Sequence, residues 1–199
     1  MQLKLFVCYN NYNNIVYKED DQVSKVVKSE VNSVTNSAMV KALKEDIADA
    51  RKLKIAIKLF VSTSKLKLTG SNYDQARDMM QQYIPILDRR ISIASQLVDS
   101  IKSGANQMSN YMGKFAVLDD SLREEYEKNL QQAQSNLNYL DSISWTSGEM
   151  NLFNYWNMYF SSKKIIDECQ DYLEKLDGLA GVDGAIYSSI SAASSTSMM

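Results

Sequence analysis

At 199 residues the chain makes one domain or two small ones, long enough to bury roughly 70% of its unfolded surface if compact. A formal charge of -2 with no clustered basic face argues against nucleic-acid binding, which needs cations to displace phosphate counterions. The absence of histidine removes the commonest general base and metal ligand, and Cys8 and Cys169 stand in no zinc or disulfide spacing, so no metal and no cofactor is expected.

Only one proline and seven glycines interrupt the sequence, and helix-forming residues dominate its middle. Residues 1–20 read as an N-terminal extension. Their apolar run, Leu3, Leu5, Phe6 and Val7, is too short for a signal peptide. No stretch reaches the ~20 apolar residues of a stable membrane span.

From about Asp21 to Val61, Val23, Val27, Val31, Val34 and Ala38 recur at threes and fours and resume as Leu43, Ile47, Ala50 and Ile57. That period predicts one long amphipathic helix. Residues 62–70 lose the period, so a turn is expected there, and Ser71 with Asp74 has the spacing of a capping box. The next helix carries Ala76, Met80, Tyr83, Leu87, Ile91, Ala94, Val98, Ile101, Ala105, Met108 and Met112 on one stripe. Unbroken, it would span roughly 60 Å. Pro85 is expected to kink or restart it, because proline lacks the ladder donor.

The period stops over residues 113–119. Ser121 with Glu124 predicts a second box, followed by Leu122, Tyr126, Leu130, Ala133, Leu137 and Leu140. Thr146 with Glu149 predicts a third box opening an aromatic helix through Met150, Phe153, Trp156, Phe160, Ile166, Cys169, Leu173 and Leu176. It is expected to end near Asp177 and Gly178. A short amphipathic piece follows, Val182, Ala185, Ile186 and Ile190, and residues 191–199 read as a Ser-rich flexible tail or linker.

Long helices joined by short loops pack antiparallel. The expected fold is therefore all-α, an elongated antiparallel bundle of two stacked helical hairpins. A rod of that kind has more apolar stripe than it can cover, and the remainder needs a partner.

The segment KLKLTGSNYDQARDMMQQYIPIL, residues 65–87, resembles the signature of LXG domains. Leu68 and Gly70 supply the Leu-x-Gly, Tyr73 opens the following Tyr-Asp-x-Ala, and Pro85 lies one helical stretch later. The segments LREEYEKNLQQAQSNLNYLDSIS and YLEKLDGLAGVDGAIYSSI are similar to the back half of that family, and the likeness covers residues 21–190. It implies an N-terminal targeting domain of the polymorphic toxins that Gram-positive bacteria use in interbacterial competition. Such toxins leave the cytoplasm by the non-Sec, type VIIb secretion route. The implied partners are small helical WXG-like adaptors and the membrane ATPase of that machinery. A separate toxin domain is not expected within these 199 residues.

Structure alone can account for Leu68 and Gly70, as a plug and a positive-φ glycine in a helix-connecting turn. Trp145 and Gly148 resemble the Trp-x-Gly turn of WXG proteins with one residue added. Leu173 with Asp177, and Tyr17 with Asp21, fit the aromatic-or-aliphatic to acidic spacing of type VII export signals. The group Phe153, Tyr155, Trp156, Tyr159 and Phe160 spreads over more than one helical face, so part of it is expected to be exposed for a partner. Asp119 and Asp120 read as an N-cap rather than a catalytic pair.

Three functions follow: an adaptor-binding targeting module, a helical membrane-active toxin component, and a hydrolase using Asp119 and Glu124. The second lacks a continuously apolar segment, since Arg77, Asp88, Arg89, Arg90 and Asp99 interrupt even the best helix. The third lacks histidine and any phosphate-binding loop.

Overall fold

A computed structural model describes residues 25–67, 69–143 and 150–195. The chain is all-α, with four long helices and one short β-ladder. Strand β1 (Lys25–Val27) leads into helix α1 (Lys28–Val34), followed by α2 (Ala38–Lys67) and α3 (Ser71–Met112). Strand β2 (Val117–Asp119) and a 3-10 turn (Asp120–Leu122) precede α4 (Arg123–Ser142), and α5 (Leu152–Ser195) is the last element described.

The single helix expected over residues 21–61 is divided. Its start is the strand β1, which pairs antiparallel with β2 in the register Lys25↔Asp119, Val26↔Leu118, Val27↔Val117. Two adjacent β-branched valines suit a pleated ribbon, and a ladder formed 92 residues away leaves no local period to read. A second break falls at residues 35–37. Thr35 donates to the Asn32 carbonyl, and the Ser37 hydroxyl accepts from the Val40 amide. These side chains end one helix and cap the next.

The turn expected over residues 62–70 is shorter than its sequence implies, because α2 continues to Lys67. Helix α3 then runs 42 residues without interruption. Pro85 lies inside it on an exposed position, one turn after the equally exposed Gln81, so water can serve the carbonyl that proline leaves without a donor.

The expected cap at Thr146 and Glu149 lies outside the described residues. Asn151 caps α5 instead, its side-chain oxygen accepting from the Asn154 amide. Nor does α5 stop at Gly178. It continues through Gly181 and Gly184 to Ser195, five residues into the segment read as a flexible tail. Gly178 is a contact residue, not a stop: any Cβ there would collide with the Tyr111 hydroxyl.

The chain divides into two compact units, one of Met1–Glu30 with Ser109–Asp183 and one of Val31–Met108 with Gly184–Met199. In the first, Tyr172 is the hub. Its ring stacks on Tyr126 at 3.7 Å and meets Phe115 edge-on at 5.2 Å. Its hydroxyl accepts from the Asp119 amide at 2.8 Å and donates to the Asp119 carbonyl at 3.1 Å. Arg123 pairs with Asp177 at 2.8 Å, so α4 and α5 run antiparallel. In the second unit, Ala50, Ile57 and Val61 of α2 pack on Leu87 of α3, flanked by Ile84 and Ile91. The pairs Arg90 with Asp46 and Lys54 with Asp88 lie on the two shoulders of that antiparallel seam.

Candidate partner-binding surfaces

The first surface lies at the start of α5. Phe153, Trp156 and Phe160 fall at i, i+3 and i+7, one stripe of a helix, and all three face water at 73%, 45% and 63% exposure. The rings order one another. Trp156 lies over Phe160 with centroids 5.6 Å apart, and Tyr155 and Tyr159 meet Trp156 edge-on at 5.4 and 5.7 Å. Lys163 places its ammonium 6.0 Å from the Tyr159 ring. Such a ridge loses little side-chain freedom when a partner covers it, which favours binding.

The second surface is the hairpin of α2 and α3. Its turn residue Gly70 has φ +124°, a backbone region open to glycine, and its carbonyl accepts the Tyr73 and Asp74 amides that open α3. The expected box is not what holds Asp74, whose carboxylate pairs with the buried Arg77. Tyr73 is exposed. Beyond it Met79, Met80, Tyr83 and Ile86 on α3, and Leu53, Ile55, Leu59 and Phe60 on α2, are also exposed. The sequence stripe of α3 is thus buried from Leu87 onward, apart from the half-buried Ile91, but bare at Met80 and Tyr83.

Of the residues singled out by resemblance, Leu68, Trp145 and Gly148 lie outside the described residues. Gly70 and Tyr73 share the hairpin turn, whereas Phe153, Trp156 and Phe160 share the α5 ridge. The exposed residues Leu53, Leu59 and Ile86 carry no mark in the sequence reading. Their signal was present as apolar residues off the main stripe of each helix. Of the methionines expected as core fillers, Met108 and Met112 are buried whereas Met79 and Met80 are exposed.

Asp119 and Asp120 each have partners within the fold. The Asp119 side chain accepts from the Ser121 amide and hydroxyl at 3.0 and 2.6 Å, so it caps the 3-10 turn. The Ser121 hydroxyl, then its amide and Lys25, hold the Asp119 carboxyl below its usual range against the opposing cost of burial. Asp120 pairs with Arg123. Cys169 is free and buried, and burial with the nearby Glu168 pushes its thiol up, away from the reactive thiolate. It borders a 470 Å³ open groove between α4 and α5, lined in equal number by amides and carboxylates such as Asn129, Gln132 and Glu125 and by apolar or aromatic residues such as Leu122, Tyr126 and Ile165. Among the described residues no group of three or more metal-ligating side chains converges, and no helix is long and apolar enough to cross a membrane. Comparison of the chain with known protein families, with curated proteins and with solved structures returns no match.

Proposed function

We propose that the chain is a secretion-targeting and adaptor-binding module of the LXG kind, recruiting small helical WXG-like proteins for export by a type VII route. The observation that carries the reading is the exposed aromatic stripe Phe153, Trp156 and Phe160. Covering apolar surface is favourable by about 25 cal/mol per Å², so three large rings held in one row are a site for another protein. The bare end of the α2/α3 hairpin supports the same conclusion. A helical partner suits it, because an amphipathic helix docks its i, i+3, i+4 and i+7 side chains along a groove between helices.

Co-expression with the small helical proteins encoded beside this chain, followed by native mass measurement, tests the proposal. A stoichiometric complex is expected. A monodisperse chain that takes up none of them overturns it. Export then provides the functional readout: Gly70→Arg is expected to reduce secretion while helical content stays largely intact.

A further inference from the structure

Within the unit Val31–Met108 with Gly184–Met199, one shoulder of α3 carries Ala76, Tyr83, Arg90, Leu97 and Gly104 at seven-residue intervals, which align on one side of a supercoiled helix. The stripe is covered at one end. A Cβ on Gly104 would come within 2.6 Å of Ile186 Cγ2 in α5, so the two helices touch there, and Leu97 is buried one heptad away. At Arg90 the stripe reaches the ion pair with Asp46 of α2, Nε to Oδ2 2.8 Å. Asp46, Leu53 and Phe60 repeat at the same interval, so the pair marks where the α2 and α3 stripes border a common groove. Past that pair Leu53 and Phe60 on one wall, and Tyr83 with Met79 and Ile86 on the other, are exposed.

We propose that this groove is the seat of one helix of the partner, which continues along α3 the packing that α5 makes at Gly104. The inference rests on the adaptor-binding reading and assigns it a place. The chemistry of the occupant follows from the walls. Along the outer edge of α3 the exposed residues Gln75, Met79, Gln82 and Ile86 are uncharged, as far as the exposed Arg89 that follows them on that edge. An apolar helical ridge flanked by neutral polar residues fits that edge, and the ion pair between Arg90 and Asp46, with Arg89 beside it, bounds the groove at its inner end.

The test uses the full chain co-expressed with the small helical proteins encoded beside it. Tyr83→Glu and Ile86→Glu are compared with Phe153→Glu and Trp156→Glu on the α5 ridge. Each groove substitution should weaken the complex about tenfold or more. Helical content should be unchanged, since both side chains already face water. Side-chain footprinting of the unsubstituted complex should protect Leu53, Phe60, Tyr83 and Ile86, a readout that does not depend on the variants folding. A wild-type complex that survives both groove substitutions and leaves the groove unprotected overturns the placement but not the adaptor reading. Failure of the wild-type chain to take up any adaptor overturns both. A homodimer of the chain alone that the groove substitutions dissociate would make a second copy the occupant and also overturn the proposal.

Discussion

Asp183 buries a carboxylate without full hydrogen bonding. It is 2% exposed on α5, and one carboxylate oxygen has no hydrogen-bond partner. Burial alone pushes its carboxyl up from the ordinary aspartate range. A raised folded-state value means that any stability the group lends is present below the unfolded value, near pH 3.9, and is lost as pH rises through the folded value. Asp183→Asn is therefore expected to raise the melting temperature at neutral pH, with the gain vanishing in acid. A variant no more stable at pH 7 would show that the carboxylate is satisfied in solution. Asp119 has the opposite sign. Its folded value is lowered, so its contribution is present above the unfolded value and fades as pH falls through the folded one. Tyr172→Phe should cost about 1–3 kcal/mol in chemical denaturation, because it strips the partner from the Asp119 amide and carbonyl while leaving the ring stack in place.

At the scale of the element, the glycines of the long helices fall into two kinds. Gly104 lies where a methyl group would strike Ile186, and Gly178 where it would strike Tyr111, whereas Gly181 has open space around its missing Cβ. Alanine is the better helix former by about 1 kcal/mol. Gly181→Ala should therefore stabilise α5 by roughly that amount. Gly104→Ala should destabilise the chain despite the same propensity gain, and truncating the obstacle with Ile186→Ala should recover part of the loss. Thermal melts of the four proteins check this directly, and equal behaviour of the two glycines would remove close helix packing as the explanation. Close packing accounts for the glycine at 178, whereas α5 passes through Gly181 and Gly184 although no neighbour requires their small size.

For the whole molecule, the prediction with most consequence is that the isolated chain is incomplete. Phe153, Trp156 and Phe160 on one unit, and Tyr83, Ile86, Leu53 and Phe60 on the other, remain in water. The chain alone should bind a hydrophobic dye and self-associate at high concentration, and both tendencies should fall when an adaptor is bound. Persistent dye binding in the complex would place the partner elsewhere.

The all-α class, the stripe of α3 and the cap at Asp119 could be read from residue order, because helical period and capping act within a few residues along the chain. The turn at Gly70 was legible for the same reason. The pairing of Lys25–Val27 with Val117–Asp119, the divided first helix and the run of α5 past Gly178 were not. The strand and the run of α5 depend on a neighbour far away in sequence, a strand partner and a tyrosine hydroxyl. The break at residues 35–37 instead rests on local bonds of Thr35 and Ser37, set within an apolar period that continues across them. Sequence alone determined which faces are apolar, since that follows from periodicity. Tertiary structure decided which of those faces are covered, because coverage depends on where each helix ends relative to its neighbours, and those ends are set by packing rather than by local preference.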